Sequence, residues 1–151
     1  MSRRLLLLAI RAFSQARSGA TAVEFAIVAV PLVLLSFGVV EYGRLEWTRQ
    51  ALEDAAVSGA RCMGVLNSSC AASGAYNATS ASSYVINRAA GWGVALTTAQ
   101  VTLNNNSSCA GVAGFSQVSI AYTFASPVAA LISLSTSGVP VSATACFPNQ
   151  T

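Results

Sequence analysis

One carboxylate, Glu24, heads a run from Phe25 to Val40 that holds no charged residue. A basic leader (Arg3, Arg4, Arg11, Arg17) precedes it and ends at the small residue Gly19, five positions upstream. A carboxylate at an apolar segment must be desolvated at a cost of several kcal/mol or shift its pKa, so one kept there points to a cationic partner. Four cysteines, Cys62, Cys70, Cys109 and Cys146, supply the other reactive groups. Little else in the chain could do chemistry. Histidine and lysine are absent, Asp54 is the sole aspartate, and no acid follows it. The many serines have no base to activate them. Glu46, Glu53 and Asp54 could gather a cation, but their spacing suits the solvated face of a helix. The lack of histidine and of a CxxC pair speaks against zinc too. The inventory speaks against an enzyme and implies no cofactor.

The elements that must position these groups follow from composition. At 151 residues there is room for one ordinary domain, or for an anchor plus a smaller one. Hydrophobic residues make up 54% and charged residues only 9%, too apolar a balance for a typical cytosolic domain. The net charge of +3 comes from the leader. The arginines form no basic face with interleaved aromatics, so nucleic acid is not an expected partner. Four cysteines on one side of an apolar segment indicate disulfides in an oxidising compartment and allow three connectivities. Cys62–Cys70 with Cys109–Cys146 is preferred, because the first closes a short loop and the second staples a later sheet.

The apolar stretch from Leu5 stops at Arg11, short of the roughly 7–15 residues of a secretory h-region. Val23 to Val40, extended to Ala20 if Glu24 is tolerated, approaches the ~20 residues a bilayer helix needs. Arginines cluster on its N-terminal side, which places the leader in the cytoplasm and the cysteines outside. Pro31 falls mid-segment, where it should kink the helix or loosen one turn. From Glu41 the pattern becomes amphipathic without a turn signal. Glu41–Arg44, Glu46–Arg49 and Arg49–Glu53 have the spacing of helical ion pairs. Leu45, Leu52, Ala56, Gly59 and Met63 continue one apolar stripe. Ala51, Ala55 and Gly59 form a small-residue ridge that permits close approach, either of the chain's own domain or of other subunits. A helix from about Ala20 to Arg61 would measure about 60 Å, roughly half of it beyond the bilayer.

Asn67 to Ser83 reads as a loop, and Ser83 to Ala90 as a short helix ending at Gly91. Gln100–Leu103, Gln117–Phe124 and Val139–Phe147 have strand character, with Asn104–Ser108 as the turn between the first two. Pro127–Leu134 is an apolar insert that caps a small core or meets a partner. The fold class is α+β: a long N-terminal transmembrane and amphipathic helix packed on a small antiparallel sheet. The segments are a leader over 1–19, a span over 20–40, an extracytoplasmic helical extension over 41–65 and an exported, disulfide-containing domain over 66–151. The Asn-x-Ser/Thr sequons at Asn67, Asn77, Asn105, Asn106 and Asn149 are compositional in so Ser/Thr-rich a chain.

Ala22-Val23-Glu24-Phe25-Ala26, Pro31-Leu32, Phe37-Gly38-Val39-Val40-Glu41-Tyr42-Gly43-Arg44 and the Gln50 to Arg61 segment together resemble the TadE-like family, minor pilins (pseudopilins) of tight-adherence, Flp-type IV pili. The resemblance runs from Ser18 to Val65. It implies a pilin-like fold and removal of the leader by a prepilin peptidase between Gly19 and Ala20. Glu24 and Phe25 would then serve assembly, with Glu24 paired to the new amine of a neighbouring subunit. It also implies as partners other pilin or pseudopilin subunits, the pilus assembly platform and the bacterial inner membrane, with the C-terminal domain periplasmic or carried into a surface pilus. Two departures stand. The leader has a Leu-rich patch, and Ser36-Phe37-Gly38 offers small residues to an ordinary signal peptidase. A signal-anchored exported adhesin or binding module without a filament role is the alternative.

Overall fold

The longest element, α1, runs from Ser18 to Gly64 in a computed structural model that describes residues 18–126 and 138–150. Ala, Leu, Glu and Arg recur along it, and Ser58-Gly59, a pairing common in turns, lies inside it without breaking it. Pro31 lies inside and withholds one N–H from the Ile27 carbonyl, yet the helix continues on both sides. Beyond Gly64 the Val65 and Asn67 amides donate to the Arg61 and Cys62 carbonyls, each at 3.0 Å, and Leu66 turns the chain through a left-handed φ of 49°. The expected helix from about Ala20 to Arg61 is present and slightly longer at both ends.

The chain divides into two compact units between Val40 and Glu41. In the first, α1 is the described element. In the second, the rest of α1 is followed by β1 (Ala71–Ala72), β2 (Ala75–Tyr76), α2 (Ala78–Gly91), a 3₁₀ turn (Thr98–Gln100), β3 (Val101–Cys109), β4 (Val112–Phe124) and β5 (Val139–Pro148). β1 and β2 form a small hairpin, and β3, β4 and β5 an antiparallel sheet in that order. This is the α+β class expected, a long helix with small antiparallel sheets.

Two local expectations are corrected. The first concerns the stretch from Asn67 to Ser83, which is not a loop throughout. α2 begins at Ala78 because Asn77 caps it: its side-chain oxygen accepts the Ser80 amide at 2.9 Å. Ala81, Val85 and Ala89 then recur every fourth residue on its buried face. The second concerns the asparagine run. Asn104–Ser108 is not a turn; β3 continues through it, with register shifts between Asn104 and Ser108. The reversal falls at Ala110-Gly111, with φ of 53° and 83°. Cys109 pairs directly with Val112, so this is a two-residue hairpin, whose favoured turn needs positive φ at both central positions. Glycine supplies one at no steric cost. The expectation for Pro127–Leu134 lies outside the described residues, as does most of the leader.

The core gathers Leu52, Ala55, Ala56, Ala60 and Met63 of α1, Ala81, Val85 and Ala89 of α2, and Val118, Ile120, Val141 and Ala143 of the sheet. The Ala51, Ala55, Gly59 ridge packs within the chain's own second unit: Ala51 and Ala55 are buried, and a Cβ on Gly59 would strike Val85 and lie 3.4 Å from Val118 Cγ2. At Gly59 the ridge is thus occupied by the chain's own α2 and β4. At the chain's far end Asn149 ties strands together. Its carboxamide oxygen accepts the buried Ser116 hydroxyl at 2.7 Å, and its NH₂ donates to the Asn105 carbonyl at 2.7 Å.

Three expectations follow. Gly59→Ala should destabilise the second unit by about 1–3 kcal/mol through overpacking. Gly43→Ala, with nothing within 4 Å of the new methyl, should stabilise by roughly 0.5–1 kcal/mol. Asn149→Ala strands the Ser116 hydroxyl and should cost about 1–3 kcal/mol. Thermal unfolding of the detergent-solubilised chain, followed by tryptophan fluorescence, checks all three.

Candidate functional site

The N-terminal half of α1 is an unpartnered apolar surface. Phe25 is 74% exposed, Ile27 68% and Leu35 69%, and α1 is long and apolar enough to cross a membrane. Residues 20–40 at ~1.5 Å each span about 31 Å, the thickness of a hydrocarbon core. The Gly19–Ala20 peptide bond lies in the first turn of the helix. The amides of that turn have no intrahelical acceptor, so unwinding it sacrifices little. Gly19 itself has open space around its Cα. Glu24 sits beyond the first turn, exposed, and its carboxylate has no ion pair or hydrogen bond among the described residues. The predicted processing and assembly residues, Gly19, Ala20, Glu24 and Phe25, therefore fall together within two turns of one helix.

In the second unit the cysteines form two bridges. Cys62–Cys70 (Cα–Cα 5.9 Å) closes the loop after α1, and Cys109–Cys146 (6.5 Å) links β3 to β5, the outer strands of the sheet. No free cysteine remains. Among the described residues no group of three or more His, Cys, Asp or Glu side chains could hold a metal ion.

The charges are arranged differently from the sequence expectation. Glu41–Arg44 (3.3 Å) and Glu46–Arg49 pair as expected, but Arg49 does not reach Glu53. Glu41 also accepts from the Ser126 hydroxyl at 3.2 Å, and the Arg44 guanidinium lies 5.6 Å from the centre of the Phe124 ring. Asp54, expected on a merely solvated face, is the centre of a brace between α1 and α2. Arg88 Nε and Nη2 donate to its two oxygens at 2.7 and 3.2 Å, and the Trp92 indole N–H donates at 2.9 Å. Trp47 closes the group edge-on against Trp92, ring centres 5.4 Å apart, and donates its N–H to the Trp92 carbonyl at 3.1 Å. The signal that could have revealed this brace is scarcity. Arg88 is the one charged side chain after Cys62, and a lone cation in so neutral a domain needs a partner.

Beside the brace, Ser58, Arg61, Cys62, Val65, Asn67, Ser69, Tyr84 and Arg88 line an open cleft of about 480 Å³. Hydrogen bonds from the Asn67 amide to the Cys62 carbonyl (3.0 Å) and from the Cys70 amide to the Asn67 carbonyl (2.8 Å) hold one wall. The Cys62–Cys70 bridge fixes its ends.

The brace carries a pH expectation. Hydrogen bonds from Arg88, and secondarily from Trp92, hold the Asp54 carboxyl below its ordinary value of 3.8. The unfolded chain therefore binds this proton more readily than the folded one. The contribution to stability is complete above the ordinary value and is lost as pH falls through the lower folded value. Asp54→Asn should cost up to about 1 kcal/mol near neutrality, since the pair is partly exposed. The deficit should start to shrink as pH falls below the ordinary value of 3.8, where the unfolded carboxyl takes up its proton, and close below the lower folded value. Parallel urea titrations of both proteins at several pH values measure it.

Comparisons with known proteins bear on the N-terminal segment alone. No curated protein and no solved structure matches the chain. The family model described as TadE-like protein matches residues 19–61, which is α1 from Gly19 through Arg61, with the exposed apolar half, Glu24 and the buried small-residue ridge. Over that segment the chain is similar to the TadE-like family, the one its sequence motifs resemble.

Proposed function

We propose that this chain is a minor pilin or pseudopilin that takes part in building a tight-adherence, Flp-type pilus, and that its role is structural rather than catalytic. The observation that carries the reading is Glu24, an unpaired carboxylate on an apolar, membrane-length helix, inside the segment that matches the TadE-like family. A prepilin peptidase on the cytoplasmic side cuts between Gly19 and Ala20, where only the first helical turn has to unwind. The leader leaves with its arginines, and Ala20 gains an ammonium group. Glu24 of one subunit then pairs with the Ala20 amine of a neighbour. Each charge alone is costly in hydrocarbon, and the two offset one another only on docking, which sets the axial register of the subunits.

The reading places the chain in the inner membrane with its disulfide-bonded domain in the periplasm, where it meets other subunits and the assembly platform. Two measurements test it. Mass spectrometry of the purified protein should find Ala20 as the first residue, and Gly19→Glu should leave the leader attached. An intact Met1, or cleavage after Gly38, refutes processing at Gly19. Glu24→Gln should still be cleaved but should enter sheared pili at least about tenfold less, since removing one member of a buried pair costs about 3–5 kcal/mol.

A further inference from the structure

Beyond Asp54 the sequence carries two charged side chains, Arg61 and Arg88, and both line the same cleft of about 480 Å³. α1 contributes Ser58, Arg61, Cys62 and Val65 to it, a spacing of i, i+3, i+4 and i+7 that shares one helix face. α2 contributes Tyr84 and Arg88, and the loop closed by the Cys62–Cys70 bridge contributes Asn67 and Ser69. Arg61 is exposed and has no hydrogen bond or ion pair among the described residues. Arg88 gives Nε and Nη2 to Asp54, which answers its charge and leaves Nη1 over. The Asn67 side-chain oxygen accepts the Ser69 amide at 3.0 Å, so its NH₂ is the group left to donate. One unanswered positive charge among amide and guanidinium donors, with no acid in the lining, suits one carboxylate.

A second cleft, of about 430 Å³, shares Ser69 and Tyr84 with the first. Thr79, Ser80, Ser83 and Asn87 complete its lining, so all six residues carry a hydroxyl or an amide. Ser80, Ser83, Tyr84 and Asn87 lie on one side of α2, turned from the buried Ala81, Val85 and Ala89. The side chains of Ser83, Tyr84 and Asn87 make no hydrogen bond among the described residues. Hydroxyls and amides both donate and accept, so they match a ligand whose own groups do the same along its length, as sugar hydroxyls do. Tyr84, half-buried where the clefts meet, offers a ring face to the C–H face of a sugar. A nucleic acid would need cations for successive phosphates, and one unengaged guanidinium does not supply them. A peptide's side chains would need apolar pockets, which the second cleft lacks.

We propose that the two clefts form one binding site for an acidic saccharide. A uronate carboxylate sits against Arg61 and the Asn67 amide, and the adjoining neutral sugar runs along the Ser83, Tyr84 and Asn87 side of α2. The Cys62–Cys70 bridge and the hydrogen bonds of its loop hold the carboxylate end before any ligand arrives. Every residue of the site belongs to the second unit. Binding requires neither cleavage at Gly19 nor pairing of Glu24, so it can be measured on the uncleaved Gly19→Glu chain. Its failure and the failure of processing are therefore distinguishable.

Calorimetric titration of the detergent-solubilised full-length chain tests it, with glucuronic acid and with glucuronosyl-xylobiose, one uronate carried on neutral sugars. The oligosaccharide should bind saturably and more tightly than the single sugar, and its methyl ester, the same chain without the charge, about fivefold more weakly or worse. Arg61→Gln should weaken both acids by about fivefold. Asn87→Ala should weaken the oligosaccharide by about threefold and leave the single sugar unchanged, because Asn87 lines the second cleft and not the first. Glu53→Gln, outside both clefts, should change neither. Retained Cys62–Cys70 and Cys109–Cys146 bridges in each variant verify folding. Absence of saturable binding, equal binding of the methyl ester, or full affinity in Arg61→Gln overturns the proposal. An unaltered oligosaccharide affinity in Asn87→Ala also overturns it, since the sugar then lies elsewhere. Tighter binding of an acetylated alanine tripeptide with a free C-terminus does so too, because the carboxylate is then a peptide's.

Discussion

Everything beyond Glu41 depends on how near other elements can come to α1. Ala51, Ala55, Ala56, Gly59 and Ala60 put no side chain past a methyl on the buried side of that helix. Val85 of α2 therefore sits where a Cβ of residue 59 would be. Close approach has a consequence for size. The core is built mostly from small residues, with Leu52, Met63, Ile120, Val85 and Val118 as its larger fully buried members. So little apolar area leaves a small domain marginal by packing alone. The two disulfides and the Asn149 clamp add constraint where burial is thin.

Few charges are present, and the fold gives most of them a local task. Glu41 and Arg44 hold the start of the second unit's helix to the end of β4 and to Ser126. Asp54 joins α1 to α2 through Arg88 and Trp92, with Trp47 packed on the same indole. Ion pairs this exposed contribute little each, and their value here is directional: they fix which face of α2 meets α1. Glu24 stands apart from this economy. It lies in the unit where α1 has only exposed apolar neighbours, and nothing among the described residues answers its charge.

Much of the chain could be read from order and spacing. The unbroken apolar and amphipathic pattern from Ala20 to Arg61 specifies helix because each residue's preference is satisfied within its own turn. The alternation at Val118, Ile120 and Phe124 specifies a strand with one buried face for the same local reason. The asparagine run misled, since Asn favours turns by intrinsic preference. Yet an edge strand with a register shift accommodates it, and the two positive φ angles at Ala110 and Gly111 claim the reversal instead. The Asn77 cap is not legible in the pattern, because a capping oxygen works through a single amide and leaves no periodic trace.

The sequence by itself determined the membrane-length helix, the carboxylate at its head, the α+β class and the scarcity of catalytic groups. Each is a matter of local periodicity, solvation or simple inventory. Only the tertiary structure decided that the small-residue ridge meets α2 and β4, that Asp54 pairs with Arg88, and that Arg49 chooses Glu46 over Glu53. Those outcomes depend on which elements approach one another and how closely. A side chain with two partners in reach takes the one that packing brings to its charge.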